Sequence, residues 1–363
     1  MLISQKSKQI VDSCRFCWMC RHICPIGNAT GQERNTARAR ALTLSLVERG
    51  AADYSGGIAD NVYECALCGA CTKECATGWD PVKFTKETRN EIVMSGTAPA
   101  YITKLIETLS ATGNVYGKTA LCDDLKKAID SVSAKTDVLF FLGSDARYAA
   151  CKQATGAIEM LKKAGVKFTV LADEHTSGYA WDFLVGAADE TKSAMAACAK
   201  ALNEFKTVVC YDPADAKVMI REYKEYGIDL KAEVKTFTAF LAEKIADGSL
   251  KAAKTGKTLY FQDPALLARD LEETKPARDV LAACGEVKEM LLFGKDVMWA
   301  GSSMMALYMP KVMKLVAERR WADLAHVDGK VMVTASPSEY AALAAVKPEG
   351  MELYTIEEVV KGC

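Results

Sequence analysis

The sequence predicts a chain of mixed class, α/β plus all-α: a helical N-terminal domain followed by a duplicated α/β domain with parallel sheets. Three observations carry this. Eight of the fourteen cysteines fall in two runs between Cys14 and Cys75, and the segment between the runs has helical periodicity. From residue 136 onward, short apolar runs alternate with helical patterns of roughly 10–15 residues, as βαβ units require. The turn VVCYDPADAKVMI is then echoed by VMVTASPSEYAAL, and SGYAWDFL by AGSSMMAL, which reads as an internal repeat.

The two cysteine runs have one form. Cys14-x2-Cys17-x2-Cys20-x3-Cys24 is followed by Pro25, and Cys65-x2-Cys68-x2-Cys71-x3-Cys75 by Ala76. Each iron of a [4Fe–4S] cube wants one thiolate, and three cysteines at x2 spacing wrap one corner of a cube without strain. The fourth cysteine of such a run ligates the other cube in two-cluster ferredoxins. The pattern therefore assigns Cys14, Cys17, Cys20 and Cys75 to cluster I, and Cys65, Cys68, Cys71 and Cys24 to cluster II. Zinc would ask for two CxxC pairs. Disulfides would not use such triplets in a chain whose start, MLISQKSKQI, lacks the apolar core of an export signal. Two [4Fe–4S] clusters in a helical ferredoxin domain, residues 1–95, are the expectation.

Within that domain, residues 1–13 predict a short helix leading into the first cluster loop. Phe16 and Trp18 sit among the ligands, either shielding a cube from water or packing as ordinary loop residues. His22 reads as a solvated loop histidine, with tuning of cluster II as the alternative. Gln32 to Arg49 reads as one helix, with no Pro or Gly. Arg34, Arg38 and Arg40 give it a basic side: a solvated face, a docking surface, or a stabiliser of reduced clusters. A further helix covers 57–63, and Asp80-Pro81 opens another that runs to about Met94, with proline at its first position.

Residues 96–135 read as a linker containing one helix. The first α/β lobe then spans 136–250, with strands in TDVLFFLGSD, KFTVLAD and KTVVCYDP. The second spans 251–363, with strands in KTLYFQDP, VKEMLLFG and KVMVTASP. A ligand would sit in the crevice between lobes, at the carboxyl ends of the strands. No Gly-x-Gly-x-x-Gly follows a strand, so nucleotide binding has no support, and three histidines assemble no catalytic triad. A formal net charge of −1 gives no electrostatic case for nucleic acid. No run of about 18 apolar residues suggests a membrane span. Cys122, Cys151, Cys198, Cys210, Cys284 and Cys363 show no metal spacing; free thiols beside cluster thiolates imply a reducing, cytoplasmic setting.

Together the cysteine runs and the repeated turns resemble a known family. It includes the iron–sulfur subunits of glycolate oxidase and anaerobic glycerol-3-phosphate dehydrogenase, and the catalytic subunit of heterodisulfide reductase. These join a two-cluster ferredoxin to a duplicated cysteine-rich (CCG) domain. Here that domain is degenerate. The family's Asp-Pro-Cys-His-Leu appears as Asp263-Pro264-Ala265-Leu266-Leu267, and its Cys-Cys-Gly as Trp299-Ala300-Gly301. Its Ala-Cys-Pro-x-Cys appears as Ala335-Ser336-Pro337-Ser338-Glu339. In the first lobe the corresponding slots read Gly143-Ser144 and Thr176-Ser177-Gly178, and Cys210 alone remains near Asp212-Pro213. Ser, Thr, Ala and Trp are not soft iron ligands, so no cluster and no disulfide chemistry are expected in this domain. His175, Ser177, Asp212, Trp299 and Glu339 would line the crevice by motif position, or Trp299 with its methionine neighbours fills it.

The resemblance implies a non-catalytic electron-transfer subunit of an oxidoreductase complex. Electrons would pass from FAD on a partner dehydrogenase subunit, through the two clusters, to a quinone, a ferredoxin or another iron–sulfur protein. The alternative is a heterodisulfide-reductase-like enzyme acting in the crevice. The basic segment KVMKLVAERRW adds a peripheral membrane contact, on the inner face, as an option.

Overall fold

A computed structural model describes residues 4–15, 17–54, 56–132 and 135–363. Met1–Ile3 of the expected first helix, and Phe16 of the first cluster loop, lie outside these.

The N-terminal region is helical. It comprises α1 (Gln5–Asp12), α2 (Met19–Ile23), α3 (Pro25–Thr30), α4 (Ala37–Glu48), α5 (Gly57–Tyr63), α6 (Ala70–Glu74) and α7 (Pro81–Met94), followed by α8 (Ala100–Thr112). The helix expected from Gln32 differs. A 3-10 turn at Glu33–Asn35 ends at Thr36, which is extended (φ −89°, ψ 159°) and whose hydroxyl accepts from the Ala39 N–H. A threonine that can cap the third amide of a new helix competes with continuing the old one. Asp80 caps α7 by accepting from Val82 and Lys83 N–H, with Pro81 at the first helical position.

The remainder is α/β, with two all-parallel sheets. One has the order β1 (Val138–Phe141), β2 (Thr207–Cys210), β3 (Glu233–Thr236); Thr169 bridges Leu139 on the free side of β1. The other has the order β5 (Glu286–Lys288), β4 (Thr258–Gln262), β6 (Val331–Thr334), β7 (Glu352–Thr355). In each sheet the first strand in sequence lies second in space, and the next segment pairs outside it. KFTVLAD thus contributes a single bridge rather than a strand, and VKEMLLFG is strand only to Lys288, after which MLLFG leaves the sheet.

Phe140 and Val209 from one sheet share an apolar core with Phe261 and Val333 from the other. A second core runs from the helical region into the α/β region. It joins Ile26, Tyr63 and Phe84 to Trp181, Phe183, Trp299 and the buried Met298, Met304, Met305 and Met313. The dense methionines pack the interior, Met309 being partly buried. Within residues 96–135, α8 packs on the helix Tyr179–Val185, and the helix Asp123–Asp130 packs on Cys151–Lys163.

Candidate metal centre

The two cysteine runs fold alike. Each places a residue in the left-handed region just before a short helix: Trp18 (φ 71°, ψ −2°) before α2 and Gly69 (φ 71°, ψ −1°) before α6. Each helix ends on the fourth cysteine, Cys24 at φ −72°, ψ 113° and Cys75 at φ −76°, ψ 114°. The helices α2 and α6 pack together, so the loops approach one another as a pair. They diverge afterwards. Pro25 opens α3, whereas Ala76 leads into a turn at Gly78 (φ 69°).

The structure gathers Cys24, Cys65, Cys68 and Cys71 around one cavity, walled by Pro25, Ile26, Ala37, Leu67 and Val82 and by Arg40. As residues, Cys24, Cys65 and Cys71 are half-buried, but the thiols of Cys24, Cys68 and Cys71 are enclosed. Burial pushes Cys24 up to about 12, and raises Cys68 and Cys71 as well; for each, neighbouring thiols of the same ring push further in that direction. Four soft sulfur donors in a desolvated pocket fit an iron–sulfur group, whose irons would hold them as thiolates. Among the described residues no three His, Cys, Asp or Glu side chains converge on a single metal ion; Cys24, Cys65, Cys68 and Cys71 line one cavity instead. Backbone amides point inward, with Gly27 N–H donating to Cys24 Sγ and Leu67 N–H to Cys65 Sγ, both at 3.4 Å.

The first run is more open. Cys14, Cys17 and Cys20 lie near one another, and burial, then the Cys14 and Cys17 thiols, raise Cys20 against an opposing hydrogen bond from the Arg38 backbone. Cys17 is exposed, and Trp18 is 40 % exposed under the Arg38 guanidinium, 3.8 Å from its ring centroid. Cys75 is held by Thr77, whose hydroxyl lies 3.2 Å from its Sγ. His22 is exposed.

Arginines surround the inner ring. Arg40 is 2 % exposed and donates from Nε to Asn61 O (3.0 Å) and from Nη2 to Asn35 O (2.7 Å). A wholly solvated basic face therefore does not describe this stretch: Arg40 of α4 points in, Arg34 of the preceding 3-10 turn pairs with Glu64, and Arg38 pairs with Glu33 and covers Trp18. Arg89 donates to Cys65 O (2.6 Å) and Val62 O, and reaches Phe183 O (2.6 Å) in the first lobe. Arg269, from the second lobe, donates to Cys68 O (2.7 Å). No periodicity singles out these three, since only the tertiary packing turns them inward.

A crevice lined from both sheet-bearing segments abuts the same ring. Ala66 and Cys68 line it together with Asp212, Pro213, Pro264, Trp299, Gly301, Ser336, Ser338 and Glu339. Its free volume is about 30 Å3, room for roughly one water. Asp212, Trp299 and Glu339 thus meet there. Ser177 instead donates to Asp215, and His175 is exposed beside a different cavity, with Asp173 and Phe205. Burial pushes Glu339 up to about 7, against hydrogen bonds from Gln262 Nε2 (2.9 Å) and Ala265 N–H (3.1 Å). Of the other cysteines, Cys122 and Cys151 come together; burial and then the Cys122 thiol raise Cys151 to about 11.

Known proteins agree with this picture. The family model for a 4Fe-4S dicluster domain matches residues 10–79. A component of the dihydromethanophenazine:CoB–CoM heterodisulfide reductase of Methanosarcina acetivorans is 25 % identical over 360 residues, covering 90 % of this chain and 87 % of that protein. The same component from Methanosarcina mazei is 25 % identical, covering 77 % of this chain and 74 % of its own. Among solved structures, an aspartate racemase homologue from Pyrococcus horikoshii overlaps 62 % of this chain and 96 % of its own at 9 % identity, with a TM-score of 0.28. No helix among the described residues is long and apolar enough to cross a membrane. Residues 10–79 therefore form a 4Fe-4S dicluster domain, and the chain is an iron–sulfur electron-transport protein of oxidoreductase type, similar through most of its length to this heterodisulfide reductase component.

Proposed function

We propose that this chain is the electron-relay subunit of a dehydrogenase complex, taking electrons from FAD on a partner subunit and delivering them to a quinone, a ferredoxin or another iron–sulfur protein. Cys14, Cys17, Cys20 and Cys75 hold an outer [4Fe–4S] cluster; Cys65, Cys68, Cys71 and Cys24 hold an inner one. When bound, such clusters supply one-electron storage and transfer. The chain's own residues supply the rest. Trp18 with Arg38 covers the outer loop at the surface, where a partner can approach. Arg89 and Arg269 fix the carbonyls of the inner loop, and apolar walls exclude water. The observation that carries this reading is the pair of cysteine loops with matching backbone geometry, with Cys17 exposed on the first and Cys68 buried on the second.

In this proposal the lobes form one duplicated domain, a reading that the matching strand orders support. Their crevice holds no cluster, because Cys68 is the sole cysteine among its lining residues and already serves the inner ring. A second reading, catalysis in that crevice, draws on the similarity to the heterodisulfide reductase component. The serine, alanine and tryptophan at the family's thiol positions weigh against it.

The test is anaerobic iron and acid-labile sulfide per chain with EPR of the reduced protein. About eight irons and two interacting cubane signals are expected. Iron well above that number, or a third signal, would return the crevice to consideration as a cluster site. Copurification of a flavoprotein supports the relay reading; turnover by the isolated chain supports the second.

A further inference from the structure

We infer that Arg40 sets the reduction potential of the inner cluster while leaving the outer one nearly unaffected. This rests on the reading that Cys24, Cys65, Cys68 and Cys71 hold that cluster. A guanidinium stays charged at any accessible pH. Arg40 is almost wholly buried and fixed by two backbone carbonyls, Asn61 O and Asn35 O. It lines one cavity together with Cys24, Cys65, Cys68 and Cys71. Adding an electron makes an already anionic centre more negative. A fixed cation in a low-dielectric wall stabilises that state and raises the potential.

The neighbouring arginines of the same helical segment are differently placed. Arg34 pairs with Glu64 and its side chain is half-exposed; Arg38 pairs with Glu33 and stacks on Trp18. The half-exposed, paired charge of Arg34 is screened and contributes little, and that of Arg38 is balanced by Glu33. Arg89 and Arg269 also face the inner loop, but through the carbonyls of Cys65 and Cys68, so their first effect is to hold the loop. Arg40 alone of the α4 arginines lines the cavity itself. It acts through the cluster's electrostatic surroundings, not by ligation.

The experiment is EPR-monitored redox titration of the whole chain with both clusters loaded, comparing native protein with Arg40→Gln, Arg40→Lys and Arg34→Gln. The expected result is a lowered midpoint for one of the two signals in Arg40→Gln, with the other unmoved. Arg40→Lys stays near native, and Arg34→Gln shifts neither. Equal movement of both signals, no movement, or an Arg40→Lys shift as large as that of Arg40→Gln overturns the inference. Should Arg40→Gln fail to load iron, protein grown with 15N-labelled arginine answers instead. Pulsed EPR of the reduced protein then shows 15N couplings, and Arg40→Lys removes a component from one signal only; an unchanged pattern in Arg40→Lys overturns the assignment. Iron content is measured throughout, so a failure of the two-cluster reading shows as missing iron and is not confused with a failure of this one.

Discussion

Arg89 shows how much one side chain can hold. It is fully buried, donates to the carbonyls of Val62, Cys65 and Phe183, and lies 4.4 Å from the Phe183 ring centroid. Replacing it leaves three carbonyls without a donor and breaks the tie between cluster loop and first lobe. Arg89→Met is expected to lower the unfolding free energy by roughly 3–5 kcal/mol, read from chemical denaturation; a loss below about 1 kcal/mol contradicts this role. The pair of cysteine runs was legible in the sequence because its x2 spacing is local, and the 4Fe-4S dicluster match falls on it. Arg89, in the polar-looking stretch KETRNE, was not. Its role depends on Phe183, far along the chain, and a buried arginine has the same local pattern as an exposed one.

At the scale of elements, sequence signals did well where a cap or a strong period exists. Asp80-Pro81 marks α7, and the apolar runs VLFF, TLYFQ and VMVT mark β1, β4 and β6. They failed where neighbours decide. The strands β3, EVKT, and β7, ELYT, are short and half polar, and pairing with β2 and β6 makes them strands. Two π-helical turns, Val218–Glu222 and Leu266–Asp270, have no period of their own to detect.

The last helix, Ile356–Lys361, offers a test at this scale. Burial pushes Glu357 up to about 7, against hydrogen bonds from the Thr355 and Tyr211 hydroxyls, the latter at 2.7 Å. A raised folded-state value means that the folded chain holds the proton more tightly. The stability this adds is fully present below the unfolded value of 4.5 and is lost as pH rises through about 7. Glu357→Gln removes the titration. Relative to this variant, native protein is expected to lose up to about 3 kcal/mol between about pH 5 and pH 8. Both proteins carry the same cysteines, so the difference isolates Glu357; a pH-independent difference refutes the assignment.

Across the whole molecule, the helical domain and the lobes are bound into one body. Tyr63 donates to Leu184 O (2.9 Å), Tyr308 to Tyr63 O (3.0 Å), and Lys86 pairs with Asp182 (2.6 Å). The apolar core runs through both. Because metal binding at enclosed thiols is part of folding free energy, stripping the iron should loosen residues 4–95 first. Calorimetry of the loaded chain is expected to show one transition, and of the stripped chain two, the earlier belonging to the helical domain. One unshifted transition after stripping would mean that the clusters add nothing to the fold.

Cys68 faces two ways, into the ring it shares with Cys24, Cys65 and Cys71, and into the crevice beneath Pro264 and Trp299. Biogenesis must respect that position. A protein that hands over a finished cube needs to reach all four sulfurs, and in the closed molecule Arg269 and the second lobe lie against the back of that loop. The cysteine loops leave the ribosome before either lobe exists. Loading an inner cluster into the young chain, before Arg269 packs behind the Cys68 loop, would avoid that obstruction.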